Sequence, residues 1–164
     1  MKKTVTLIAM IWALAAPASA SGFHRGPHDA AVLHADTMPI GHPGEPVLID
    51  RTIRVSMLHA SDQAMAFDIS PIEIVEGETI RFVLMNQGSQ NHDFVMATSE
   101  EIADHREEMV GTADMAHEAG YAARVAPGAT RTLIWKFANE GIFEFACLIP
   151  GHYEAGMRGR LTVS

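Results

Sequence analysis

From Arg51 to the C-terminus, apolar side chains recur with a period of two. Ile53, Val55 and Met57 alternate with Thr52, Arg54 and Ser56, and Ile80, Phe82 and Leu84 with Arg81, Val83 and Met85. Leu133, Trp135 and Phe137 alternate with Thr132, Ile134 and Lys136, and Phe143, Phe145 and Cys147 with Ile142, Glu144 and Ala146. Leu161 and Val163 close the chain. Successive side chains of a strand point to opposite faces, so each set predicts a half-buried strand. Glu76-Gly77-Glu78, Pro127-Gly128 and Asn139-Glu140-Gly141 are turn signals between them. Seven or eight short strands over residues 51–164 predict an all-β, antiparallel sandwich.

Two stretches depart from that period. Thr98-Ser-Glu-Glu101 has the form of a capping box, with Thr98 as N-cap and Glu101 three residues later. It predicts a short helix with Ile102, Arg106, Met109 and Val110 on one side, ending near Gly111. Residues 98–126 therefore read as a helical or irregular excursion between strands. Residues 21–50 carry Gly22, Gly26, Pro27, Pro39, Gly41, Pro43, Gly44 and Pro46 without sustained periodicity, which predicts a flexible or loosely docked arm. The arm also holds His24, His28, His34, Met38 and His42.

Residues 1–20 read as a secretory signal peptide. Lys2 and Lys3 precede an apolar run from Val5 to Ala15, and Ala18-Ser19-Ala20 has the small-residue cleavage pattern, with cut after Ala20. The run is short for a membrane span, which leaves a retained N-terminal anchor as the alternative. Export places the mature chain in the periplasm. The formal net charge of −8 becomes about −10 once Lys2 and Lys3 leave. So acidic a chain argues against a nucleic-acid partner.

Charge and export sharpen the meaning of the lone cysteine. Cys147 has no partner for an internal disulfide. In an oxidising compartment a single thiol is a liability unless it is buried and inert or bound to a metal. Its context is Cys147-Leu-Ile-Pro-Gly-His152-Tyr-Glu-Ala-Gly-Met157, a thiol, an imidazole and a thioether on one short loop. Upstream, Asn91-His92-Asp93-Phe94 offers a second imidazole, which alone reads as structural or ligating. Soft and borderline donors of these kinds favour copper over hard cations. Asn91 and Asp93 are candidates to orient the ring or its loop by hydrogen bonding.

On these residues the chain resembles a cupredoxin, one of the type 1 copper proteins that include plastocyanin and azurin. Cys147-Leu-Ile-Pro-Gly-His152 is similar to azurin, and Ala155-Gly-Met157-Arg-Gly159 running into Leu161-Thr-Val163 is similar to plastocyanin. The resemblance spans residues 51–164. It implies a Greek-key β-sandwich holding one copper, with His92, Cys147 and His152 as equatorial ligands and Met157 as the axial one. The layout with a His-rich arm looks like that of exported cupredoxins linked to bacterial copper tolerance.

The flanks of Cys147 are Ala146 and Leu148, not the histidines that feed the three-copper cluster of multicopper oxidases, and the chain lacks the second cysteine of a dinuclear site. The implied protein is therefore not an enzyme. It is a single-electron carrier, serving a cytochrome or copper oxidase, or a copper-tolerance protein. The alternative is a copper-buffering or cuprous-oxidising protein with further sites. Ten methionines in the chain include two clusters with histidine, Met57/His59/Met65 and Met109/Met115/His117. Each reads either as core filling or as additional copper donors. The arm reads equally as a solvated linker or a copper-capturing tail.

Overall fold

The computed structural model describes residues 38–60, 64–69, 71–110 and 118–164. The expected signal peptide, the first part of the arm, Met115 and His117 lie outside the described residues. Among those described, no helix is long and apolar enough to cross a membrane.

The chain runs through β1 (Gly41–Pro43), β2 (Arg51–Ala60), β3 (Ala64–Asp68), β4 (Ile72–Ile74), β5 (Thr79–Asn86) and β6 (His92–Ala97). It continues through α1 (Ser99–Met109), β7 (Glu118–Ala119), β8 (Ala122–Val125), β9 (Thr130–Phe137), β10 (Gly141–Ala146) and β11 (Arg158–Val163). Eight of these strands have four or more residues, and three are shorter pieces. They form two sheets, in the orders β1-β9-β5-β2-β3 and β4-β11-β10-β6-β8-β7.

The expected alternation is the observed burial. Val55 and Met57, Ile80, Phe82 and Leu84, Leu133, Trp135 and Phe137, and Leu161 and Val163 all turn inward. Between the sheets, the Phe94 ring lies 5.5–5.6 Å from those of Phe67, Phe82 and Phe145. Each such ring, removed from water, contributes roughly 1.5–3 kcal/mol through burial. Gly159 sits opposite Phe145 on the neighbouring strand, and a Cβ there would come within 2.2 Å of the ring. Only glycine lets that ring lie flat over the strand.

The structure differs from the expectation in three respects. First, the sandwich is not wholly antiparallel: β2 pairs in parallel with β5, and β4 with β11. After β3 the chain passes along the edge of the other sheet as β4 and re-enters from the same end, and such crossovers produce parallel neighbours. Second, the arm is built into the fold from Met38 onward. Gly41–Pro43 pairs with β9, and Ile40 is fully buried.

Third, the excursion after Thr98 is shorter than expected. The capping box is present, with Thr98 Oγ1 accepting from the Glu101 N–H and the Glu101 carboxylate accepting from the Thr98 N–H. Ile102 and Met109 are buried, but Val110 is 81% exposed. Residues 122–125 are already strand, with β8 lying against β6. α1 covers the outer face of the second sheet, packing Ile102 and Met109 with Val95, Ala97, Ala146 and Leu148. That cover explains why β6 is buried at all six positions and lacks polar alternation.

Candidate metal centre

Three strand ends deliver the candidate donors to one end of the sandwich. His92 opens β6, Cys147 follows the last residue of β10, and Met157 immediately precedes β11. His152 lies in the loop between Cys147 and Met157. This loop is closed by its own backbone. The Cys147 N–H donates to the Met157 carbonyl and the Met157 N–H to the His152 carbonyl, both at 3.0 Å, while the His152 N–H donates to the Ile149 carbonyl. Two of its turns need positive φ, at Gly151 (+89°) and Gly156 (+99°), where a Cβ would be strained. Pro150-Gly151 and Glu154-Ala-Gly156 are thus the two reversals that aim His152 and Met157 back toward Cys147.

His92, Cys147 and His152 each present one donor atom, all within 4.8 Å of one another and all buried. His92 Nδ1 stands 3.2 Å from His152 Nδ1, which stands 3.3 Å from Cys147 Sγ. Donors about 2.0–2.3 Å from a shared ion stand roughly 3–4 Å apart, so the spacing fits a metal held by two imidazoles and a sulfur. Nitrogen lone pairs and a sulfur crowded in a dry pocket need a proton or a cation among them. Soft sulfur with two imidazoles is the donor chemistry of copper. Met157 is fully buried in the main core cluster beside Cys147.

Burial dominates the electrostatics of the sulfur. It pushes the Cys147 thiol up to about 12, against the opposing pull of the Asp93 and Ile149 backbone N–H groups. Asp93 adds to the upward push by its charge, and Arg124 opposes it. The Asp93 N–H donates to Cys147 Sγ at 3.3 Å.

Of the two residues expected to orient His92, Asp93 touches the site and Asn91 is exposed. The loop before His92 is instead held by Asn86. Its Nδ2 donates to the carbonyls of Gln90 (2.7 Å) and Val125 (2.8 Å), and its Oδ1 accepts from the Gly88 N–H. A buried Asn at the head of a turn-rich stretch is the signal in sequence; the partner on β8 is visible only in the fold. Arg124, which binds the Asp93 carboxylate, lies in the stretch whose sequence gave no clear period.

The loop is also tied to the helix. Tyr153 donates its hydroxyl to Glu144 at 2.8 Å, and the guanidinium groups of Arg106 and Arg158 stack over its ring at 3.9 and 4.5 Å. Arg106 also pairs with Glu154, and the loop backbone and Arg106 together hold the Glu154 carboxyl below its ordinary range. Of the methionine clusters, Met57 and Met109 are core residues, 0% and 2% exposed, so core filling describes both.

Comparisons with known proteins point to a copper-binding family. The family described as copper binding proteins, plastocyanin/azurin family, matches residues 54–164. The chain is 40% identical over 163 residues to the copper-resistant cuproprotein CopI of Rubrivivax gelatinosus, covering 99% of this chain and 96% of that protein. It is 30% identical to the protein of the same name from Vibrio cholerae, covering 96% of each. In fold it is similar to dithionite-reduced auracyanin from Roseiflexus castenholzii, with a TM-score of 0.56 and 24% identity over 71% of this chain and 98% of that one. With its sandwich, its His-Cys-His pocket and this match, the chain belongs to the plastocyanin/azurin family of copper-binding proteins.

Proposed function

We propose that the protein is an exported, periplasmic type 1 copper protein that passes single electrons in the service of copper tolerance. His92, Cys147 and His152 would hold one copper, with the Met157 thioether as a weak fourth donor. The observation that carries this reading is the convergence of three buried donors from stretches more than fifty residues apart. Bound copper supplies a one-electron couple. The chain supplies fixed donors on strand ends, a dry pocket and one route to the surface. Among the four residues only His152 has any exposure, 5%, while His92, Cys147 and Met157 have none.

Pro150 and Gly151, which precede His152 in the loop, are exposed, whereas Leu148 is buried against α1. A small contact there suits a brief encounter with a cytochrome or a copper oxidase. The names of the curated relatives support the copper-tolerance setting.

Copper loading tests the reading. The loaded protein is expected to hold one copper per chain and to show an intense visible thiolate-to-copper band. A colourless Cu(II) complex would end the assignment. Met157→Leu is expected to keep the copper and the colour while shifting the band and the potential, because an axial thioether bonds weakly. Loss of the metal in that variant would place Met157 among the strong donors instead.

Proton release gives an independent check. With the thiol pushed up to about 12, Cys147 is protonated at neutral pH in the metal-free protein. A thiolate ligand must shed that proton on binding. Apparent affinity is therefore expected to fall about tenfold for each unit by which pH drops below that value, from this proton alone. Titration in weak buffer at neutral pH should release about one proton per copper. Metal uptake without proton release would exclude Cys147 as a thiolate ligand.

A further inference from the structure

Asp93 directly follows His92, and its backbone N–H donates to the Cys147 sulfur at 3.3 Å. Its carboxylate is fully buried. Arg124, with a side chain 15% exposed, grips both oxygens, Nε to Oδ1 at 2.8 Å and a terminal nitrogen to Oδ2 at 3.0 Å. The two residues are direct cross-strand partners on β6 and β8. The adjacent pair on the same strands is His92 opposite Val125, whose carbonyl receives the Asn86 side chain. The start of β6 is thus pinned to β8 at two successive positions.

A planar guanidinium fork bound to two carboxylate oxygens fixes orientation as well as charge. The orientation matters because the Asp93 side chain and the amide that meets the sulfur belong to one residue. The charge matters because reduction of a thiolate-bound copper adds a negative charge to the pocket. A bare carboxylate there would oppose it over several ångströms at the effective dielectric of a protein.

We propose that Arg124 is a positioning and charge-compensating residue of the copper centre: by holding both Asp93 oxygens it fixes the amide that donates to the Cys147 sulfur and cancels the carboxylate charge beside it. This rests on Cys147 being the copper thiolate. Sequence offers no hint of it, since residues 93 and 124 meet only through the β6–β8 register.

The test equilibrates copper-loaded full-length protein with a one-electron mediator of known potential and reads the coloured, oxidised fraction. Arg124→Gln removes the positive charge from the carboxylate's two oxygens, and its ratio of oxidised to reduced protein is expected to rise about tenfold over wild type. Asp93→Asn removes the negative charge and keeps the guanidinium, and is expected to move the ratio the other way. The double variant Asp93→Asn, Arg124→Gln removes both charges and is expected to return to within about threefold of wild type.

An Arg124→Gln ratio equal to wild type, alongside a lowered melting temperature, would show that the pair merely holds the fold, and overturns the proposal. Should Arg124→Gln not fold, the double variant compared with Asp93→Asn decides the same point, and equal ratios in those two overturn it. A colourless wild-type protein would overturn the thiolate reading itself, and the role of Arg124 with it. A coloured wild type with an unmoved ratio overturns the role of Arg124 alone.

Discussion

Cu(II) added to the Cys147→Ser protein is expected to give no intense visible band, a complete loss relative to wild type. The band of a type 1 site belongs to the bond between copper and a thiolate, and a serine hydroxyl is a hard donor that stays protonated. The substitution is small. It leaves the core intact and keeps an acceptor for the Asp93 N–H that now meets the sulfur. Circular dichroism and the melting curve of the metal-free variant should therefore stay close to wild type while the colour disappears. A Cys147→Ser protein that keeps the band would refute the assignment of the thiolate, and one that fails to fold would make Cys147 a packing residue above all.

The largest effect on stability is expected at Phe94. Its ring is fully buried and touches those of Phe67, Phe82 and Phe145, two residues from His92 on the same strand. Phe94→Ala leaves a cavity between the sheets and should cost about 3–5 kcal/mol in denaturant unfolding of the metal-free protein. Because β6 also carries His92, relaxation into that cavity is expected to broaden or shift the visible band of whatever copper form remains. A cost under about 1 kcal/mol would mean that the aromatic cluster is not the keystone of the sandwich.

The difference between these two variants separates the parts of the molecule. Cys147→Ser takes away a candidate donor and spares the scaffold; Phe94→Ala weakens the scaffold and spares every candidate donor. The donor geometry depends on both, since His92 and Cys147 occupy ends of different strands that meet only if the sheets pack.

Local signals were legible where one residue decides the outcome. The period-two runs around Ile80–Leu84 and Leu133–Phe137 are observed strands because alternation is a property of a single segment. The Thr98/Glu101 capping box is likewise local and is found as expected. The Cys147–Met157 loop was legible too, since its candidate donors, its proline and its glycines lie within one short stretch. β6 was harder. Its run from His92 to Ala97 shows no alternation, because the core covers one face and α1 the other. The docking of residues 38–50 was not legible, since pairing of Gly41–Pro43 with β9 leaves no period in so short a segment.

By itself the sequence determined that the chain forms strands, that a thiol, an imidazole and a thioether share one loop, and that a second imidazole stands at position 92. Those are facts of residue type and of spacing along one segment. Only the tertiary structure decided that the His92 and His152 nitrogens lie 3.2 Å apart and that Arg124 grips Asp93 beside the sulfur. It also decided that two strand pairs run parallel. Each of these depends on which strands become neighbours and in what register, and that choice minimises the exposed apolar area of the whole chain, a sum that no single segment contains.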